Sequence, residues 1–450
     1  MTTPITLSPD RRRFIGATAT AFAALAASGC MTRGVPTTAR AASGGGFSGY
    51  GALVPDPAGL LDLPPGFSYR VLSRLGDAMD DGSTVPDRAD GMGCFDLGNG
   101  EIALVRNHEL QPQHDAGGPI AKGFGKRNGV FVPGGTTTIV LDAATLNVKR
   151  QFRSLGGTIR NCSGGVTPWG TWLTCEEAPT GPGQPRGDGL ERSHGWVFEV
   201  PASAPGLVDA VPLTTMGRFN HEAAAVDPAT GIVYQTEDRD DSVLYRFLPT
   251  VPGRLAEGGR LQAMVIEGLA DTRNWKSAAM AVGQPYRVSW VDLDDVEAPK
   301  DDLRKRAAAK GAALIARGEG LHMGERAVFA CCTSGGAKQL GQILKLTPGL
   351  AGAPDTVELF FESESTDQFN YGDNLAVAPN GHLIVCEDQY TALVDNHIRG
   401  ITPQGRAYTL ARLTAQTELA GGCFSPDGTV LFVNAYGPTA TLAITGPWAV

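Results

Sequence analysis

Acidic side chains recur at fixed distances from glycine-containing turns along this chain of 450 residues. In three segments a glutamate stands six residues after the turn glycine: Glu176 after Gly170, Glu237 after Gly231 and Glu387 after Gly381. Ahead of five such turns stands a second residue that could bind a metal: Asp90, Cys162, Glu222, Asp373 and Glu418. Carboxylates are hard oxygen ligands, and without clustered histidines they favour calcium over zinc. The pattern therefore predicts a cation site rich in carboxylates.

The residues between these side chains read as pairs of short strands joined by a tight turn, as in CSGGVTPWGTWLTCEE and DNLAVAPNGHLIVCED. In a hairpin, the start of the first strand and the end of the second strand lie at the same edge. A radial arrangement of the hairpins would bring all of these edges together. Acids beside turns can also simply cap loops, but their repetition at matching offsets favours a site. Carboxylates about 4 Å apart repel one another, so cations must lie between them.

Strand pairs without acidic clusters alternate with these hairpins. Examples are the segments 136–152, 194–216, 342–363 and 397–413. An inner and an outer hairpin make a four-stranded blade, and their repetition predicts an all-β fold, a six-bladed β-propeller, with five or seven blades as alternatives. We expect a strand from Phe67 to Leu75 to complete the last blade and close the ring. The long interval 253–318, with a helical pattern at 296–317, predicts a small helical insertion.

The bulk composition fits this fold and limits the function. The chain has 59 glycines and 30 prolines, and only 19% of its residues are charged, which is typical of a turn-rich soluble protein. A net charge of -9 gives no basic surface for nucleic acid. An anionic substrate would need bound cations to reverse the sign of the charge locally.

The N-terminal segment 1–30 predicts export. Arg11, Arg12 and Arg13 precede an alanine-rich apolar run, as in a twin-arginine signal peptide. Cys30 follows Ala-Ser-Gly, which resembles a lipoprotein processing site and makes a lipid anchor an alternative to a free protein. Residues 31–50 read as a flexible linker and 51–450 as the catalytic propeller. The expected location is periplasmic or extracellular, reached through the twin-arginine machinery, with the protein a monomer.

The cysteines do not suggest a disulfide framework, because seven remain if Cys30 is modified. Four lie inside strand-like runs and are expected to be buried in the core: Cys94, Cys175, Cys386 and Cys423. Cys162 differs because it occupies a position where other repeats carry an acid.

Several long motifs resemble the PhoX-type alkaline phosphatase family, from about residue 50 to the C-terminus. They are RNHE (106–109), GGTTT (134–138), NCSGGVTPWGTWLTCEE (161–177), GRFNHEAAAVDPATGIVYQTED (217–238), RGEGL (317–321), DNLAVAPNGHLIVCED (373–388) and GGCFSPDGTVLFVN (421–434). The resemblance implies hydrolysis of small phosphate monoesters at a centre of Fe3+ and Ca2+ with one cysteine ligand. The chain departs from the family in its shorter length and in YGDN at 371–374, where a proline is expected before the aspartate.

Carried onto this sequence, the resemblance implies eight metal ligands: Asn107, Glu109, Cys162, Glu176, Glu222, Glu319, Asp373 and Glu387. Three arginines beside ligand positions could bind phosphate or pair with carboxylates: Arg106, Arg160 and Arg218. His221, like His108, could donate a proton to the leaving group or be packed in the core. Two other functions remain open. A calcium-dependent hydrolase of lactones or other esters would not need Cys162, and a non-catalytic metal-binding propeller would need neither Cys162 nor the arginines.

Overall fold

The protein is built almost entirely of antiparallel β-strands. Its structure is a computed structural model, which describes residues 49–350, 352–389, 391 and 393–448. The signal segment 1–30, with Cys30, and nearly all of the linker lie outside these residues. None of the helices in the described ranges is long and apolar enough to span a membrane.

The strands of the first half are β1 (Leu61–Asp62), β2 (Ser68–Arg74), β3 (Ala89–Gly98), β4 (Glu101–His108), β5 (Lys126–Arg127), β6 (Val130–Phe131), β7 (Gly134–Asp142), β8 (Val148–Thr158), β9 (Asn161–Val166), β10 (Thr171–Glu176), β11 (Val197–Pro201), β12 (His221–Val226), β13 (Val233–Glu237), β14 (Ser242–Val243) and β15 (Tyr245–Pro249). Those of the second half are β16 (Gly259–Ile266), β17 (Pro285–Asp292), β18 (Leu314–Ile315), β19 (Gly318–Met323), β20 (Val328–Cys332), β21 (Gln342–Thr347), β22 (Asp355–Glu362), β23 (Gly372–Val377), β24 (Leu383–Glu387), β25 (His397–Ile401), β26 (Ala407–Leu413), β27 (Leu419–Phe424), β28 (Val430–Ala435) and β29 (Ala440–Thr445). Within the described residues, the helices are α1 (Leu303–Ala309) and two 3-10 turns, Thr214–Met216 and Leu255–Glu257.

The sheets form a propeller-like arrangement around a common axis. The first strands of the acidic hairpins are β3, β9, β12, β19, β23 and β27, and each contacts the next around the ring, with β27 contacting β3. Outward from this ring run sheets such as β3-β4-β7-β8 and β23-β24-β25-β26-β1. The strand β17 pairs with both β16 and β22, which joins two neighbouring blades into one nine-stranded sheet.

Three of the outer hairpins predicted from the sequence are present, as β7-β8, β21-β22 and β25-β26. The N-terminal strand β2 also pairs with the last strand, β29, from Ser68 opposite Thr445 to Arg74 opposite Ala440. The first and last parts of the chain are thus hydrogen-bonded in one sheet.

Two segments differ from the prediction. Within 194–216 only β11 is a strand, and Leu213 ends a loop that leads into a 3-10 turn. The segment 253–318 is not a helical insertion as a whole, because β16 and β17 belong to the main sheet. Its helix α1 covers only Leu303–Ala309, since left-handed backbone at Asp301 and Gly311 bounds it on both sides.

The hydrophobic core lies between neighbouring sheets. One cluster joins Ile384 and Leu410 of one blade to Leu431, Val433 and Leu442 of the next. Such clusters recur between other neighbouring blades. Truncating a buried leucine to alanine in a core of this kind costs about 2–5 kcal/mol. The core therefore fixes each blade against its neighbours and holds the inner strands in place.

Candidate metal centre

Each inner hairpin is closed at the axial edge by the same backbone hydrogen bond. The residue just before the first strand, here called the start residue, accepts it through its carbonyl oxygen. The residue just after the second strand, the end residue, donates it. The six bonds are Glu109 N–H to Arg88 O (2.9 Å), Glu177 to Arg160 (2.8 Å), Asp238 to Asn220 (3.2 Å), Thr333 to Arg317 (3.0 Å), Asp388 to Tyr371 (2.9 Å) and Tyr436 to Glu418 (3.1 Å). Four of the end residues are acids, and all lie at one edge.

A β-bulge follows each start residue. In five hairpins the residue two positions after the start residue lies in the bulge: Asp90, Cys162, Glu222, Glu319 and Asp373. In the last hairpin the bulge lies one residue later, at Gly421 and Gly422, and Ala420 takes the corresponding position. A bulge bends the strand and changes the direction of its side chain. The local backbone therefore presents five metal-binding side chains in the same way.

Residues at the end and bulge positions, together with the start residue Glu418, form four overlapping groups whose ligand atoms lie within 4.8 Å of one another. The groups are Asp90-Glu109-Cys162, Cys162-Glu177-Glu222, Glu222-Glu319-Asp373 and Asp373-Asp388-Glu418. Cys162, Glu222 and Asp373 each belong to two groups, so the groups form one continuous arc around the axis. All members of these four groups are buried except Glu418, which is partly exposed.

The electrostatics of this arc call for bound cations. Both carboxylate oxygens of Glu222, and Oε2 of Glu319, are buried without a hydrogen-bond partner among the described residues. Burial, and then the charges of Asp373 and other acids, raise the pKa of Glu222 well above its ordinary value. Burial and Asp238 do the same for the pKa of Glu319. Unpaired buried carboxylates are costly, and cations among them would remove that cost. The donor set thus fits several metal ions.

Cys162 adds a soft ligand to this set of oxygens. Its Sγ lies 3.5 Å from Oδ2 of Asp90, and its side chain is fully buried. Burial, followed by the charge of Asp90, raises the pKa of this thiol well above its ordinary value. A metal ion at this point would offset both effects and favour the thiolate, which is the form that binds metals.

Two arginines brace the acids of the arc. Nε of Arg160 donates to Oε1 of Glu109 at 2.8 Å, and its Nη2 pairs with Glu177. Arg317 pairs with Asp238 at 2.7 Å and with Glu319 at 2.6 Å. Each arginine is itself a start residue with left-handed backbone, at φ 50° for Arg160 and 49° for Arg317. Each guanidinium group therefore binds one acid from each of two neighbouring blades.

Three of the eight proposed ligands lie outside the groups. Both oxygens of Glu176 accept hydrogen bonds, from the backbone N–H groups of Ile159, Gly195 and Trp196 and from His194. Glu387 is held in the same way by Asn370, Gln389, His397 and Arg399. Asn107 donates to the carbonyl oxygens of Cys162 and Ser163. These side chains support the centre and do not face it.

Of the residues proposed to act on substrate, only Arg160 lies at the centre. Arg106 is fully buried among hydroxyl groups, with Thr441 at 2.6 Å, and burial lowers its pKa to about 9. Arg218 donates to the carbonyl oxygen of His194 and to Gln184. His221 stacks on Phe219 and donates from Nε2 to the carbonyl oxygen of Gly217 at 2.9 Å, and burial lowers its pKa to about 3. The structure thus gives the last three packing roles.

The structure adds ligand-type residues that the proposed set omitted. They are Asp90, Glu177, Asp388 and Glu418, together with the brace Arg317. The sequence carried a signal for each acid. Asp90 and Glu418 precede a turn like the other leading residues, and Glu177 and Asp388 are the second members of acidic doublets.

A cavity of about 820 Å³ opens beside this arc. Its lining includes Arg160, Glu177 and Asn220 from the centre, together with residues of the loops around Gln111, Pro185 and Lys300. A small molecule in this cavity would contact Glu177 and its partner Arg160 directly.

Comparisons with known proteins agree with this geometry. The sequence model of the family described as Alkaline phosphatase PhoX matches residues 48–149 and 135–439. The structure of Pseudomonas fluorescens PhoX in complex with vanadate, a transition state analogue, is similar with a TM-score of 0.68 and 18% identity, over 89% of this chain and 97% of that one. At that identity the likeness shows a common fold.

Other solved structures are less similar. A gluconolactonase from Xanthomonas campestris, XC5397, matches with a TM-score of 0.42 and 15% identity, over 88% of this chain and 98% of that one. A protein of unknown function from Dyadobacter fermentans matches with a TM-score of 0.46 and 11% identity, over 85% of this chain and all of that one (100%). No curated protein sequence matches the chain. Because the family model covers well over half of its residues, the protein belongs to the PhoX family of alkaline phosphatases, which hydrolyse phosphate monoesters.

Proposed function

We propose that this protein hydrolyses small phosphate monoesters at a centre of iron and calcium ions held by the acidic arc. One observation carries the proposal: Glu222, with two unpartnered buried oxygens, lies between a group that contains a thiol and a group made only of carboxylates. A structural loop cap would have its oxygens satisfied, as Glu176 does.

The two kinds of group suit two kinds of metal. Cys162 makes its groups softer, and we assign Fe3+ to the groups that contain it. The groups Glu222-Glu319-Asp373 and Asp373-Asp388-Glu418 offer oxygen alone, and we assign Ca2+ to them. Bound cations would supply the positive charge that a phosphoryl group requires in its transition state.

The residues of the chain would hold these ligands and orient the substrate. Arg160 is 12% exposed in its side chain and borders the cavity. It fixes Glu109 and Glu177, and its guanidinium can add charge-assisted hydrogen bonds to a phosphate oxygen. Tyr436 donates its hydroxyl proton to Glu109 and accepts from Arg88 at 3.0 Å. Glu109 is thus held from two sides, which keeps its position constant while substrate binds.

The finer architecture and the location are part of the same proposal. We take the ring of inner strands as six blades, closed through β2. We also propose that the twin-arginine machinery exports the folded, metal-loaded monomer to the periplasm or beyond, either free or anchored by a lipid on Cys30. Export after folding would let the cytoplasm supply iron to the centre.

A chromogenic phosphate monoester tests the proposal directly. Purified protein is assayed with calcium, after treatment with a chelator, and after calcium is returned, alongside metal analysis of each sample. We expect calcium-dependent hydrolysis and iron together with calcium in the active sample. Full activity in chelator would exclude calcium from the mechanism. If the protein hydrolyses a lactone but no phosphate ester, it is a lactone hydrolase. If it hydrolyses neither, it is a non-catalytic metal-binding protein.

A further inference from the structure

The cavity beside the centre is larger and more basic than a phosphoryl group requires. Its volume of about 820 Å³ lies within the range of about 300–1,000 Å³ of small-molecule sites. Its charged lining consists of Arg127, Arg160, Arg186, Arg239 and Lys300 against Glu177 and Asp301. Cations therefore predominate here, although the whole chain has a net charge of -9. The cationic lining of the cavity beyond the metal centre is therefore suited to bind an anionic group of a ligand.

Two of these cations are available to a ligand. Arg160 already pairs with Glu109 and Glu177, and Arg239 lies 3.4 Å from Asp301. Nε of Arg127 donates to the carbonyl oxygen of Asp188 at 2.8 Å, which directs that side chain towards its own loop. Arg186 and Lys300 are exposed, and neither forms an ion pair with any residue that the structure describes.

The loop that carries Arg186 has a defined conformation. Thr180 donates its hydroxyl proton to the carbonyl oxygen of Pro185 at 2.7 Å, and the backbone N–H of Gly187 donates to Gln184 at 2.9 Å. Arg186 itself has a φ of 61°, which is uncommon for a residue with a side chain. The local hydrogen bonds hold this conformation and therefore fix the backbone position from which the Arg186 side chain extends.

The loop that carries Lys300 is attached to the first loop. Nε2 of Gln184 donates to the carbonyl oxygen of Pro299 at 2.6 Å. Arg218 bonds Gln184 at 2.8 Å through its side chain, and its backbone N–H donates to Val296 O at 2.8 Å. The two available cations thus stand on loops that are fixed to each other, on the wall of one cavity.

We propose that this cavity holds the leaving group of the substrate and that Arg186 and Lys300 select esters whose leaving group carries a second anion, a carboxylate or a phosphate. The inference rests on the proposed phosphatase function. In the reaction, the oxygen of a water molecule bonds to phosphorus, the bond from phosphorus to the ester oxygen breaks, and a proton of that water passes to the ester oxygen. The alcohol then leaves with its second anion still ion-paired to the wall.

The test uses three alkyl phosphate monoesters of equal chain length that end in a carboxamide, a carboxylate or a non-hydrolysable phosphonate. Several chain lengths are compared at low ionic strength. We expect kcat/KM to be about tenfold higher for the two anionic esters at the best length, with the difference mainly in KM and reduced by added salt. Arg186→Gln and Lys300→Gln should each lower that preference about threefold, and the double variant should abolish it. The exposed residues Arg326 and Lys338 lie outside the cavity, so Arg326→Gln and Lys338→Gln are matched controls that should change nothing.

A binding measurement separates this inference from the proposed function. The same three termini are built into alkylphosphonates that cannot be hydrolysed, and their affinity for the metal-loaded protein is measured by calorimetry. Equal rates and equal affinities for the three termini would overturn the selection but leave the phosphatase function intact. Preferential binding of the anionic compounds without hydrolysis of any ester would support the selection of anionic groups by the cavity and would refute the phosphatase function. A preference that survives in the double variant would assign it to other residues and refute the role of Arg186 and Lys300.

Discussion

The adjacent acids Glu176 and Glu177 should respond in opposite ways to the same change. Glu176 accepts four hydrogen bonds inside the blade, including those from Gly195 N–H at 2.8 Å and Trp196 N–H at 3.2 Å to one oxygen. Glu177 belongs to a metal-type group with Cys162. Replacing each glutamate by glutamine keeps its size and removes its charge.

The expected cost of Glu176→Gln follows from its partners. An amide nitrogen cannot accept a hydrogen bond, so one orientation loses both bonds from Gly195 and Trp196. The other orientation loses the bond from Ile159, at 2.8 Å, and disturbs the contact with His194. Hydrogen bonds to a charged group contribute about 1.5–3 kcal/mol each, so the loss of two should cost the variant about 3–6 kcal/mol of stability. At temperatures where it remains folded, its metal content and its activity per active protein should be close to those of the wild type.

Glu177→Gln should show the reverse. It weakens the ion pair with Arg160 but also removes one of several mutually repelling acids, so the metal-free protein should lose much less stability than Glu176→Gln does. The loaded protein should lose bound metal and at least about 100-fold in kcat, because charge at the reacting group is displaced. Thermal unfolding with and without chelator, metal analysis and kinetics measure all three effects. If Glu176→Gln keeps its melting temperature but loses metal, Glu176 is a ligand and the assignment of the two side chains is wrong.

Three further predictions concern the thiol, pH and export. Cys162→Ser should remove a thiolate-to-iron charge-transfer absorption and most of the activity. Cys386 lies within a strand and outside the metal-type groups, so Cys386→Ser should lower only the stability of the protein. Equal behaviour of the two variants would argue against a cysteine ligand. The folded-state pKa values of Glu222 and Glu319 are raised, so these acids favour the folded state when protonated, and that stability is lost as pH rises through their folded pKa values. The chelated protein should therefore melt at lower temperature at about pH 9 than at about pH 5, and calcium should reduce the difference; a flat profile would mean that these acids are not buried without metal. Replacing Arg11, Arg12 and Arg13 by lysine should retain the precursor in the cytoplasm, and normal delivery in cell fractionation would show that the signal is of another kind.

The sequence was sufficient to predict the hairpins, because turn glycines and alternating apolar residues are local features. It also identified Cys162, Glu222 and Asp373, which precede turns, as candidate ligands, and the family resemblance added Glu319. It did not decide which member of an acidic doublet faces the axis. Successive side chains of a strand point to opposite sides, so an error of one position selects Glu176 in place of Glu177. The bulge opposite this strand changes the pairing, and no single residue type signals a bulge.

The remaining differences have similar causes. The segment 207–213 has a strand-like composition, but Leu213 and its neighbours lead into a 3-10 turn instead of a strand. Arg106 and Arg218 adjoin ligand motifs in the sequence, yet their side chains point into the blade, where hydroxyl and carbonyl oxygens satisfy them. Whether a polar side chain faces the site or the core depends on tertiary packing, which short-range patterns do not contain.

The pairing of β2 with β29 has a consequence for biosynthesis. The chain is made from its N-terminus, and domains that are complete can fold during synthesis. Here the partner of Ser68–Arg74 is Ala440–Thr445, and Tyr436, which bonds Glu109, comes from the same late segment. Neither contact can form until this late segment has left the ribosome. The centre is therefore completed only after Ala440–Thr445 has been made, and a chain truncated before this segment would hold its acids apart and bind metal poorly.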